Sequence, residues 1–254
     1  MPHEAAKSDQ FLLERRIVIT GAGRGLGRAL AIVVADHGAD VVLLGRDPSA
    51  LASVADTISA RTGRTSLVAP CDLARPESIK SASEVVLEID PRVDVLINNG
   101  APWLEGCLED LSDAEITSGV SAAVTGTILV TKGLLPGLRR SNCADIITIV
   151  STSGVPGWDL SGGSAPFYAA KHGQSGFSDK LRHELKGTGI RVSAVYPPDF
   201  DHADPTDPSW HQPFDDQATI SGREIVSLLL FILWSPRTCN FPVVILEGMP
   251  QTMS

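Results

Sequence analysis

A chain of 254 residues, 43% hydrophobic and 20% charged, is long enough to bury a substantial core and has the composition of an ordinary globular protein, not of a disordered or membrane-embedded one. Its formal net charge of −9 counts against a nucleic acid or an anionic membrane surface as partner, because nothing offsets phosphate repulsion. Cys71, Cys107, Cys143 and Cys239 stand far apart, with no C-x-x-C pair and no histidine at ligand spacing, so reduced thiols in a cytoplasmic protein are expected and a metal site is not.

Residues 1–10 are polar and lack the basic start and apolar run of a secretory signal. Residues 16–20 are apolar and β-branched and read as a first strand. Thr20-Gly21-Ala22-Gly23-Arg24-Gly25-Leu26-Gly27 follows, where glycines let the backbone bend sharply and present its N–H donors at the start of a helix, a natural seat for a pyrophosphate. The helix runs to about residue 37, with Gly38 placed to end it. Residues 41–44 form a continuous apolar run, as in a strand covered on both faces. Pro48 opens a helix striped by Leu51, Val54, Ala55 and Ile58. Strand 65–69, helix 76–89 and strand 93–97 come next, the last ending abruptly in Asn98-Asn99-Gly100. A long helical region reaches about residue 140, followed by strand 145–150, helix 168–185, strand 190–195, helix 222–234 and strand 242–246. The most apolar window, 225–234, is about half the length needed to cross a bilayer, so no membrane insertion is expected.

Such alternation predicts an α/β protein with a parallel sheet, right-handed crossovers and helices on both faces. Residues 197–220 break the rhythm: they are rich in proline and aspartate and have no periodicity, as expected of a lid or binding loop. In a doubly wound sheet the ligand lies beyond the carboxyl ends of the strands. The candidates are therefore the glycine turn, Gly45-Arg46-Asp47, Cys71-Asp72-Leu73, Asn98-Asn99-Gly100, Ser151-Thr152-Ser153-Gly154 and Tyr196-Pro197-Pro198-Asp199. Tyr168 and Lys171, three apart on one helical face, can converge on one site. A phenol with a pKa of about 10 exchanges protons poorly near neutrality, and a neighbouring ammonium lowers that value, so the pair makes an acid–base device.

Thr20-Gly21-x-x-x-Gly25-x-Gly27, Asp72, Asn98-Asn99, Ser151 and the Tyr168/Lys171 pair, in this order on these elements, resemble the TGxxxGxG and YxxxK-type motifs of the short-chain dehydrogenase/reductase family. The resemblance implies a single doubly wound Rossmann-like domain, 1–254, with a seven-stranded parallel sheet and residues 197–220 as substrate loop. It implies an oxidoreductase that interconverts a ketone and a secondary alcohol. Tyr168 would exchange the proton at the substrate oxygen, Lys171 would lower its pKa and hold the nicotinamide ribose, and Ser151, with Ser153 as the alternative, would polarise the same oxygen. Cofactor contacts are expected from Gly21, Gly23, Arg24, Gly25, Leu26, Gly27, Gly45, Arg46, Asp72, Leu73, Asn99, Gly100, Tyr168, Lys171 and Pro197. A homodimer or homotetramer is implied by resemblance alone.

An NAD-binding chain needs an acid at the end of strand two for the ribose diol, and here Gly45 stands there, with Asp47 too late. Arg24 and Arg46 instead offer a cationic clamp for a 2′-phosphate, so NADP(H) is expected in preference to NAD(H). The family pattern is broken in three places. Ala123 stands where an asparagine is usual in the helix after strand four, with Ser121, Thr125 or solvent as substitutes. Gly100 replaces an alanine, and Pro197-Pro198-Asp199, with His202 beyond, replaces a Pro-Gly turn and a threonine. The alternative to a ketoreductase is thus a catalytically weak NADP-binding sensor or interaction protein. Trp103, Leu104, Trp158, Phe200, Trp210 and Phe214 either line an apolar substrate pocket or serve packing. The separation of Ser151 and Tyr168 points to an insertion within 158–164, with Asp159, Ser161 and Ser164 as solvated loop residues.

Overall fold

The computed structural model of the protein describes residues 10–158, 162–202, 204–212 and 220–248. Seven strands, β1 (Arg16–Thr20), β2 (Asp40–Gly45), β3 (Leu67–Pro70), β4 (Val95–Asn98), β5 (Asp145–Ile149), β6 (Arg191–Tyr196) and β7 (Val243–Ile245), form one parallel sheet in the order β3-β2-β1-β4-β5-β6-β7. Helices α1 (Gly25–Asp36), α2 (Pro48–Thr62), α3 (Pro76–Ile89), α4 (Asp113–Val120), α5 (Thr127–Leu138), α6 (Ala165–Glu184) and α7 (Gly222–Trp234) complete the α/β alternation. The strand order reverses between β1 and β4, which is where a doubly wound fold opens its ligand crevice.

Successive side chains of a strand face opposite sides, and here both sides are buried. Ile17, Ile19, Leu43, Ile97 and Ile147 join α1 and α7 in one apolar cluster, while Val18, Val42, Leu44, Leu96 and Ile146 join α3 and α5 in another. The stretch Asp113–Leu138 has the length and apolarity of a membrane span. In this fold it is built into the protein, α5 lying on α3 and β4 and α4 on α6. All four cysteines are free thiols.

Three expectations change. The long helical region runs unbroken over Asp113–Leu138 but carries a π-helical turn, Ser121–Gly126, between α4 and α5. Helix α6 begins three residues early, at Ala165, because the Ser164 hydroxyl accepts the Phe167 N–H at 3.4 Å and Pro166 fills a first-turn position that needs no donor. Ser164 is thus a buried helix cap, 2% exposed, and not a solvated loop residue; Asp159 and Ser161 lie outside the described residues. Trp210 packs on the α1–α7 cluster, as does Phe200, so these two serve that core. Phe214 lies outside the described residues.

Candidate active site

The glycine turn is held by its neighbours. Thr20 Oγ1 accepts the N–H groups of Asn99 (3.0 Å) and Gly100 (2.9 Å), and Asn99 Nδ2 donates back to the Thr20 carbonyl at 3.1 Å. The turns after β1 and β4 are therefore one interlocked unit. A Cβ on Gly21, whose φ is +67°, would stand 2.8 Å from Gly100 Cα, and one on Gly100 would stand 2.7 Å from Leu73. Leu26 and Gly27 are buried beneath this unit. Helix α1 starts from Arg24 with no side-chain cap, which leaves its first-turn N–H donors to an anion. From the loop after β6, His202 approaches this helix start: a Cβ on Gly25 would lie 3.4 Å from its Nδ1. Asp204 fixes the same loop to α1 through Arg28 at 2.8 Å.

At the end of β2, Gly45 offers no side chain to a ribose, and Asp47 is committed to capping α2, accepting Ser49 N–H at 2.9 Å and Ala50 N–H at 3.2 Å. Arg24 and Arg46 are exposed, and no ion pair among the described residues engages either. Asp72 forms a local turn through its carboxylate with Ala74 N–H, at 3.0 Å. These features, uncapped donors beside two unengaged arginines and glycines whose Cβ positions are filled by backbone, fit a dinucleotide with an extra phosphate.

The candidate catalytic residues follow β5. Ser151 adopts φ +153° and ψ 156°, a region that costs a non-glycine residue about 1–3 kcal/mol and is found where structure over-determines a functional position. Its Oγ accepts the Ser153 N–H at 3.1 Å. Thr152 N–H is anchored by the Pro197 carbonyl at 2.9 Å, which joins the ends of β5 and β6. Ser153 is fully enclosed, whereas Ser151 is 9% exposed. Gly154 lets this turn touch α6: a Cβ there would come within 2.9 Å of the Lys171 carbonyl.

Lys171 is buried, and its Nζ donates to the Ile149 carbonyl at 3.3 Å and to Gln174 Oε1 at 3.0 Å. Two neutral acceptors do not replace lost hydration, so burial brings its pKa down from 10.5 to about 7. Between those values the unfolded chain binds a proton that the folded protein does not, so raising the pH favours folding. The stability difference between wild type and Lys171→Met is accordingly expected to rise in favour of wild type from pH 7 towards pH 10.5 and to be flat below about 7, as measured by urea unfolding at each pH.

Tyr168 and Lys171 lie three apart, one step fewer than a Tyr-x-x-x-Lys motif, and the residue four before Lys171 is Phe167. At 3.6 residues per turn, Phe167 is about 40° from Lys171 around α6 and Tyr168 about 60° to its other side. The Phe167 ring, buried, has the lysine Nζ 5.5 Å from its centre and meets Trp103 edge-on at 4.6 Å. Tyr168 is half-buried, and its ring covers Gly163. His172 and His183 are exposed. The sequence pattern singles out neither Phe167 nor Gln174, and Thr20 enters it only as the first residue of the glycine motif; Gln174, three residues after Lys171 on the same helical face, was accessible to the rule that exposed the Tyr168/Lys171 pair. A cleft of about 550 Å³ opens between α1, α7 and the turn Pro208–His211, lined by Val33, His37, Trp210 and Arg223.

Residues 15–212 match the family model described as short chain dehydrogenase. An uncharacterized oxidoreductase of Staphylococcus aureus is 27% identical over 234 residues, 90% of this chain and 95% of that one. The ketoacyl reductase HetN of Nostoc is 30% identical over 186 residues, 73% of this chain and 63% of its own. A solved short chain dehydrogenase from Escherichia coli, complexed with NADPH, superposes with a TM-score of 0.80 at 26% identity, covering 93% of this chain and 98% of that one. A glycine turn at the reversal of strand order, a strand-end serine and a buried lysine on the next helix agree with that match: the chain belongs to the short chain dehydrogenase family and is an NAD(P)-dependent oxidoreductase.

Proposed function

We propose that this protein is an NADP(H)-dependent oxidoreductase that interconverts a ketone and a secondary alcohol on a sizeable apolar substrate. The observation that carries this reading is the buried Lys171 ammonium held at the end of β5, next to the Ser151 turn and one helical turn from Tyr168. Ser151 Oγ donates a hydrogen bond to the substrate carbonyl oxygen, and Tyr168 delivers the proton that this oxygen gains. Lys171, when charged, lowers the phenol pKa and meets the ribose hydroxyls. A bound dinucleotide would supply a hydride to the carbonyl carbon, or accept one in the reverse direction, while Tyr168 gives or takes the proton. The turn 21–27 would hold the pyrophosphate, Asp72 and Leu73 the adenine, and Asn99, Gly100 and Pro197 the nicotinamide. Trp103 and Leu104 form the apolar mouth, with 197–220 as lid over a single domain, 1–254. We place the protein in the cytoplasm as a homodimer or homotetramer.

Arg24 and Arg46 carry the preference for the 2′-phosphate. The double variant Arg24→Ala/Arg46→Ala is expected to weaken NADPH binding about 10- to 100-fold, the worth of ~1.5–3 kcal/mol in charge-assisted hydrogen bonds, and to leave NADH binding unchanged. Steady-state oxidation of NADPH and NADH over a panel of ketones tests the reading as a whole. Equal efficiency with NADH contradicts the cofactor assignment, and NADPH binding without turnover on any ketone contradicts the activity.

A second reading, a slow NADP-binding sensor, is favoured by Phe167 in the place four before Lys171 and by Ala123 in the neighbouring helix. On that reading Phe167→Tyr raises turnover at least tenfold; on the first it does not.

A further inference from the structure

Gln174 lies three residues beyond Lys171 in α6 and is 2% exposed. Its amide has one acceptor and one donor group, and both are used. Oε1 accepts from Lys171 Nζ at 3.0 Å, while Nε2 donates to the Ala123 carbonyl at 3.0 Å and to Thr127 Oγ1 at 3.1 Å. The orientation is fixed by chemistry, because an ammonium only donates and a carbonyl only accepts. The receiving carbonyl belongs to the π-helical turn, a distortion that frees backbone groups and is frequent at functional sites. Thr127 Oγ1 supports the same carbonyl at 2.7 Å, and the chain of bonds continues from the Thr127 carbonyl through Thr131 Oγ1 (2.8 Å) to Asn98 Nδ2 (3.1 Å) at the end of β4. Position 123 itself contributes no side-chain polar group.

We propose that Gln174 is the positioning residue of Lys171, an amide that reaches from α6 to the π turn and fastens the lysine to the Ala123 carbonyl and the Thr127 hydroxyl. The inference rests on the reading of Lys171 as the group that serves Tyr168 and the ribose. Apart from Gln174, Nζ meets the Ile149 carbonyl and the Phe167 ring, and no charged side chain among the described residues pairs with it. Gln174 is therefore the one side chain in the described contacts of Nζ that can tune it through a hydrogen bond.

The test needs no turnover. Lysines labelled with 13C at Cε give six signals, one per lysine, and Lys171→Met identifies that of Lys171. In the full-length apo protein, Gln174→Leu is expected to lower the Lys171 titration midpoint by about one pH unit, because the ammonium loses its best acceptor, and to weaken NADPH binding at least tenfold. Gln174→Glu, which keeps the shape and places a carboxylate against the ammonium, is expected to raise the midpoint by more than about one unit. Circular dichroism confirms that each variant is folded, and if the leucine variant is not, the glutamate variant decides. A midpoint within a few tenths of wild type in Gln174→Glu, or a folded Gln174→Leu with unchanged midpoint and NADPH affinity, overturns the proposal and leaves Gln174 a core amide. Wild type that binds NADPH but reduces no ketone refutes the ketoreductase reading instead, and both Gln174 measurements still stand.

Discussion

Gly27→Ala is expected to abolish cofactor binding. The added Cβ would lie 2.1 Å from the Gly21 carbonyl oxygen and 2.6 Å from Asn99 Nδ2, well inside contact distance. Neither neighbour can yield alone, because Asn99 is bonded to the Thr20 carbonyl and Thr20 holds the backbone of Asn99 and Gly100 in return. The two turns must separate, which removes the cradle and costs about 1–3 kcal/mol of stability as an overpacked site. Fluorescence titration should show NADPH affinity reduced more than 100-fold, with urea unfolding giving the smaller stability loss. Gly176→Ala is the matched control: this exposed glycine of α6 has nothing within 4 Å of the new Cβ, and alanine there is expected to stabilise by up to ~1 kcal/mol without touching NADPH binding.

Asp145→Ala is expected to destabilise the protein by about 3–5 kcal/mol, the cost of leaving buried charges without their counter-ion. Asp145, 2% exposed at the amino end of β5, accepts Arg191 Nε at 2.6 Å and Nη2 at 3.2 Å, Arg15 Nη2 at 2.8 Å and Arg237 Nη1 at 2.9 Å. Arg191 in turn caps the carbonyls of Ile232 and Ser235, which fastens the end of α7 to the sheet. The predicted loss corresponds to a fall in Tm of roughly 6–20 °C for a chain of this size. NADPH affinity of the folded fraction should be unchanged, since Asp145 is at the edge of the sheet opposite the glycine turn. A thermal melt with and without NADPH separates the two effects.

The contrast between these variants also marks what the amino-acid sequence reveals. Residues 16–27 announce strand, turn and helix start by composition, and the alternation that follows announces the sheet. The Asp47 cap was legible too, because an aspartate before Pro48 satisfies the first-turn donors of α2. Ser164 carried the same signal, serine followed by Pro166, but Ser161, Gly162 and Gly163 before it hid it. The π turn left no trace, because i→i+5 bonding depends on how α4 and α5 pack and not on residue type. For the same reason the role of Gln174 emerges only once that turn places the Ala123 carbonyl within reach. Trp210 had no periodicity to assign it, and α1 and α7 claimed it for their core.

On the proposed reading Tyr168, one residue off the motif spacing, is the proton donor. Single-turnover oxidation of NADPH with a reducible ketone, in wild type and in Tyr168→Phe, tests it most directly. A loss of at least about 100-fold in the rate of the chemical step is expected, in line with general-acid catalysis, with an unchanged affinity for NADPH. A Tyr168→Phe variant that retains most of the wild-type rate contradicts it.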